Sequence, residues 1–201
     1  MIPSITECLR LMDKYSMLEN IKSHSIMVAK VAFVIADSLI KRGADLSMEK
    51  VIAGALLHDI GKTEGLRTGK DHVKIGVEIC QRNGLYEIAE LISEHVILNR
   101  FSIDSPYNEK EIVYYSDKRV NHDKVVSLEE RLSYIIERYS KGDRLIADAI
   151  KRNFELCKKV EKKLFKELPF SPSEIPKLVQ FVLFDRENGL IRWKEKICYF
   201  K

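Results

Sequence analysis

The segment Val51–Lys62, VIAGALLHDIGK, limits what this chain can fold into more than any other. Val51, Ile52, Ala55, Leu56 and Leu57 leave it almost no polar face, so it reads as a helix buried in a core. Yet it ends in His58-Asp59, followed by Gly61 and Lys62. Gly61 is expected to close the helix, because glycine takes positive φ without a Cβ clash. An imidazole, a carboxylate and an ammonium at the buried end of a core helix are costly unless paired or bound to a metal. One His-Asp pair arises readily by chance, so its meaning depends on the other histidines.

The surrounding chain reads as helical almost throughout. Ser4-Ile5-Thr6-Glu7 is a capping box that starts a short helix. A mostly apolar helix is expected from about Ser23 to Arg42, stopped by Gly43, with His24 in its first turn. Thr63–Lys70 reads as a polar loop. The next helix carries His72, Ile75, Gly76, Ile79 and Cys80 and stops at Asn83-Gly84. Over Leu85–Leu98, Ile88, Leu91, Ile92 and His95 recur on one helical stripe. After a loop at Asn99–Asn108, Glu109–Val120 places Asp117 among inward apolar residues. Ser127-Leu128-Glu129-Glu130 is a second capping box, opening a helix to about Tyr139.

A long helix over Asp143–Leu168 has the stripe Ile146, Ile150, Phe154, Cys157, Val160, Leu164 and Leu168. Its outer face is rich in lysine but interleaved with Glu155 and Glu161, as a solvated face is. In the tail Leu178–Lys201, Asn188-Gly189 between two apolar runs signals a hairpin, although a helix fits one side equally well. The expected architecture is all-α: a core with its N-terminal helix over 1–140, and a long helix and tail over 141–201 packed on it.

The 201 residues suffice for one domain with a sizeable core, and the net charge of +4 fits an anionic ligand better than a nucleic-acid coat. Cys8, Cys80, Cys157 and Cys198 are scattered without a CxxC pair and read as reduced thiols. The first residues carry no apolar signal core, and no apolar run is expected to be long enough to cross a membrane. A cytoplasmic location is the expectation.

The chain has five histidines, and four of them (His24, His58, His72 and His95) fall on expected helices at an inner face or near the core. Asp59 and Asp117 join them in apolar surroundings. Imidazole with carboxylate and no cysteine suits Fe, Mn, Co, Ni or Zn in a reactive centre and argues against a structural zinc site. Helical bundles build such centres from side chains on facing helices. His122, in RVNHD, reads as a loop residue.

His24, then His58-Asp59, then Asp117, in a helical chain, resembles the HD-domain metal-dependent phosphohydrolase superfamily. The text HDIGK, the segment DHVKIGVEIC with His72, EIAELISEH ending in His95, and YYSDKR around Asp117 carry the resemblance across roughly Ile21–Tyr139. It implies an HD-domain bundle in which His24, His58, Asp59 and Asp117 hold a first divalent metal. The two further histidines, His72 and His95, are similar to those of the binuclear branch and would hold a second ion, with Asp59 shared between the two. No GYP motif follows His95, which counts against cyclic-dinucleotide substrates. The resemblance also implies hydrolysis of a phosphate ester or anhydride of a small nucleotide-like molecule, with Asp59 and Lys62 in the catalytic centre. Lys62, Lys74 and Arg119 are the expected phosphate contacts, Arg119 because a guanidinium can grip phosphate with two donors. Two rivals stay open: a diiron oxygenase of the same superfamily and a non-catalytic nucleotide sensor.

Overall fold

The computed structural model describes residues 1–194, and its regular structure is predominantly helical. The chain runs through α1 (Ile5–Lys14), α2 (Glu19–Ile40), α3 (Met48–Leu57), α4 (Lys62–Thr68), α5 (His72–Arg82), α6 (Tyr86–Ile92) and α7 (Glu109–Lys118). A two-residue ladder, β1 (Val120–Asn121) against β2 (Lys124–Val125), leads into α8 (Leu128–Ser140) and α9 (Arg144–Leu164). A short α10 (Ile175–Leu178) precedes the antiparallel hairpin of β3 (Val182–Asp185) and β4 (Leu190–Trp193). This is an all-α fold decorated by two small strand pairs.

α3 is the core helix its composition demands. Its residues from Val51 to Leu57 are buried, and α1, α2, α6 and α7 pack around it. Gly54 lets α6 close in, since a Cβ there would stand 2.5 Å from Leu91 Cδ2. α2 is, contrary to expectation, long and apolar enough to span a membrane, but most of that stretch is buried inside the bundle. α9 is fixed on α7 by polar ties: Tyr114 donates to the Asn153 side chain at 2.8 Å, and Lys163 meets Glu111 at 2.7 Å with both groups buried.

Both expected capping boxes are present, at Ser4/Glu7 and Ser127/Glu130. The hairpin signal at Asn188-Gly189 is also realised. Its strands pair Val182 with Trp193 and Asp185 with Leu190, and the Trp193 indole donates to Asp37 of α2 at 2.8 Å. Other expectations change. The polar stretch 63–70 is helical as α4, closed by Gly69 at φ 72°. The stripe through His95 stops being helical at Ile92, and His95 sits in the turn beyond it. α9 ends at Leu164, before the expected Leu168. Cys8, Cys80 and Cys157 are buried free thiols, whereas Cys198 and the rest of 195–201 lie outside the described residues.

Gly61 is needed for a reason other than the expected one. Its φ is −82°, which any residue adopts. A Cβ there would stand 2.2 Å from the His72 carbonyl oxygen and 2.5 Å from the Gly76 nitrogen, so the glycine allows α5 to touch the HD turn. Because these are backbone atoms, they cannot swing aside. Gly61→Ala is expected to cost about 1–3 kcal/mol through overpacking, read as a lower urea midpoint. An unchanged midpoint would refute the close-approach role.

Candidate metal centre

His58 caps α3, and its Nδ1–H donates to the Ala55 carbonyl at 2.7 Å. His95 does the same to Ile92 at 2.6 Å, and His24, from α2, to His122 at 2.8 Å. A carbonyl only accepts, so each Nδ1 carries hydrogen and each Nε2 is directed inward as the ligating nitrogen. His122 thereby enters through its backbone, held at φ 55°, rather than through its side chain.

The inward atoms converge on two carboxylates. Asp117, in the last turn of α7, presents Oδ1 to His24 Nε2 at 3.0 Å and to His58 Nε2 at 3.6 Å. Asp59 presents Oδ2 to His58 at 3.5 Å, and Oδ1 to both His72 and His95 at 3.6 Å. Two clusters result, His24/His58/Asp59 and Asp59/His72/His95, each with its ligand atoms within 4.8 Å of one another. Two atoms bound to one ion at ordinary ligand distances lie roughly 3–4 Å apart, and the imidazole–carboxylate distances here run from 3.0 to 3.6 Å. His58 Nε2 is buried with no hydrogen-bond partner, an orphaned nitrogen between two carboxylates. The donor set and its spacing fit divalent metal, and Asp59, with one oxygen toward each cluster, is placed to be shared.

The electrostatics agree. Burial opposes ionisation of Asp59, but His58 and Lys62 overcome it and hold the carboxyl well below the usual range. Asp117 is likewise depressed against burial by Lys118, His24 and His58. Burial pushes His72 and His95 down, which keeps them in the neutral, ligating form. His58 goes the other way: burial would lower it, but Asp59 and Asp117 prevail and raise it to about 9.

Lys62 is on site, with Nζ 2.6 Å from Asp59 Oδ2. Arg119 and Lys74 are not. The buried Arg119 guanidinium is consumed by Val126 O at 2.7 Å, Pro172 O at 3.0 Å, Tyr115 and Glu161. Lys74 is exposed on the outer side of α5. Each lies two positions beyond a ligand, roughly 200° round the helix from it, and so points away.

The cations beside the cluster are instead Lys62, Lys70, Lys118 and Arg131, around a cavity of about 450 Å³. Arg131 escaped the sequence reading. It is 9% exposed, with Nη2 3.8 Å from Asp117 Oδ1, Nη1 donating to Asn121 at 3.0 Å, and Nε buried without a partner. Its signal was spacing: Leu128, Arg131 and Ile135 share one inward face. A larger cleft of about 860 Å³ lies elsewhere, over Glu90, Glu94 and Lys110, whose side chains already pair with one another.

The chain matches the HD domain over residues 21–121, half its length, and belongs to that family, which places it in the metal-dependent phosphohydrolase superfamily. It is 34% identical over 96 residues to a tRNA (cytidine(56)-2'-O)-methyltransferase of Thermoplasma volcanium, covering 47% of this chain and 26% of that protein. It is 42% identical over 65 residues to a ribonuclease Y of Helicobacter acinonychis, covering 32% and 11%. An uncharacterized protein of Methanocaldococcus jannaschii is 36% identical over 80 residues, covering 39% and 46%. The chain thus spans less than half the length of these relatives. No solved structure matches it.

Metal binding is expected to release a proton at pH 7. Below about 9, metal-free His58 is protonated, and the ion must displace that proton. Apparent affinity should therefore rise about tenfold per pH unit from 7 toward 9 and then flatten. Calorimetric titration with Mn²⁺ in buffers of different ionisation enthalpy measures this; zero proton release would contradict it.

Proposed function

We propose that the protein is a metal-dependent phosphohydrolase acting on a phosphate ester or anhydride of a small nucleotide-like molecule. The observation that supports this above all is the neighbourhood of the clusters: Lys62, Lys118 and Arg131 border the same small cavity as Asp59 and His95. Cations beside a metal centre suit an anionic phosphoryl group, whereas oxidation of an uncharged C–H substrate makes no use of them. A cavity of about 450 Å³ suits a small molecule. The names ribonuclease Y and tRNA methyltransferase belong to proteins several times longer than their match here, and the compact cavity favours a small phosphate over nucleic acid.

In this reading His24, His58, Asp59 and Asp117 hold one divalent ion, and Asp59, His72 and His95 a second. Bound metal supplies Lewis acidity at phosphorus and brings the pKa of water toward neutrality. The protein does the rest. Lys62 neutralises Asp59 in the metal-free centre; with that charge met by a cation, the ammonium would be free to meet phosphoryl oxygen. Arg131, tied at Nη1 to Asn121 and paired through Nη2 with Asp117, adds a fixed positive charge at the cavity. Backbone carbonyls of Ala55, Ile92 and His122 keep the imidazoles aimed and in one tautomer.

A panel of nucleotides and simple phosphate esters, assayed with Mn, Fe, Co, Ni and Mg, tests the proposal. Phosphate release with at least one metal is expected. Absence of release with all of them, with O₂ consumption by the iron form, would replace it by the oxygenase reading. Asp59→Ala should remove bound metal and activity together. His72→Ala and His95→Ala should lower metal content from two ions toward one, as read by elemental analysis. Lys62→Ala should cut kcat more than about tenfold without lowering metal content, because losing the ammonium removes a competitor for Asp59.

A further inference from the structure

We infer that the organic body of the substrate is an apolar or aromatic group, held by contact rather than by hydrogen bonds to its edges. For its anionic end this inference rests on the phosphohydrolase reading. Three helices converge on the cavity, and each runs from polar or fully buried at the floor to exposed and apolar at the mouth. On α4, Lys62 beside Asp59 is followed one turn later by Leu66, which is 67% exposed. On α8, the buried Arg131 is followed at four-residue steps by Ile135 and then Tyr139, 52% exposed. On α9, the stripe that packs the core at Phe154 continues outward through Ile150 to Ile146, 44% exposed.

Leu66, Tyr139 and Ile146 are among the largest exposed apolar side chains of the described residues, and they come together at one opening. Scattered exposed apolar residues need no explanation, but a convergent set continuous with a buried site marks a ligand surface. The α9 stripe is informative because, among the described residues, one apolar face is fully buried at Phe154 and left exposed at Ile146. Few polar groups interrupt this wall. Asn153 is already engaged, its carbonyl oxygen by Tyr114 at 2.8 Å and its amide by Val96 O at 2.9 Å. The Val96 carbonyl is consumed in the same bond, and the His95 carbonyl accepts from Lys118. The remaining polar groups, Lys70 and the Tyr139 hydroxyl, lie at the exposed mouth. The wall therefore offers area and a ring face, with few donors and acceptors to tell one nucleobase from another.

The test uses Mn²⁺-loaded protein and two non-hydrolysable probes, methylphosphonate and 1-naphthylmethylphosphonate, measured by calorimetry. The naphthyl probe is expected to bind at least about tenfold more tightly, as burial of an aromatic body requires. Ile150→Asn should reduce this ratio to less than about threefold. Because Ile150 also packs on the core, the exposed Leu66→Ser serves as the second variant, with a smaller loss of the same sign and an unchanged melting temperature. Among the ribonucleoside 5'-monophosphates, KM should vary less than about tenfold between bases, while ribose 5-phosphate should bind worse than all of them. Equal affinity for the two phosphonates, or a preference for one base above a hundredfold, would overturn the inference. Naphthyl binding without phosphate release from any ester would instead count against the phosphohydrolase reading alone.

Discussion

The interior is organised around compensation of the Asp59 carboxylate. At 1% exposure it cannot be stabilised by bulk water, so its charge must be met by protein or by a bound cation. Its two oxygens face His58, His72, His95 and Lys62, drawn from the HD turn, α4, α5 and the turn after α6. Asp117 adds a second buried carboxylate, faced by His24, His58, Lys118 and Arg131. Lacking these partners, the apolar walls of α2 and α3 would be enclosing uncompensated charge. The helices can approach this closely because glycine stands at the tightest contacts, Gly54 against α6 and Gly61 against α5.

The arrangement separates holding from aiming. Three imidazoles spend Nδ1 on carbonyls at helix ends or in a turn, groups that the end of a helix leaves without an internal partner. Helix termini thus supply the outer partners that orient the ligands, and the chain needs no additional carboxylates for that purpose. α8 and α9 contribute Ile135, Tyr139, Ile146, Ile150 and Phe154 to the cavity wall from outside the segment that carries the candidate ligands.

Much of this was legible in the sequence. Apolar periodicity gave the helices, Ser-x-x-Glu gave two helix starts, and Asn188-Gly189 gave the hairpin turn. The six candidate ligand positions followed from the histidine and aspartate pattern together with the family resemblance, and the structure brings the six side chains to one place. What failed were inferences from nearness along the chain. Arg119 and Lys74 follow Asp117 and His72 by two residues, which on a helix is nearly the opposite face. Arg131, fourteen residues after Asp117, arrives from another helix; its spacing with Leu128 and Ile135 turns it inward, but what it meets there depends on how α8 packs. Gly61 shows the same limit, since its requirement comes from the backbone of α5 and is invisible in the turn itself.

The His24–Asp117 contact joins positions 93 residues apart. An ion held by both residues would tie α2 to α7, in a chain whose described cysteines form no disulfide. It would act as a reversible cross-link, since the chain could not unfold through this point without letting the ion go. The robustness of the fold would then be a property of its surroundings as well as of its sequence, rising with available metal and falling under chelation as mass action dictates.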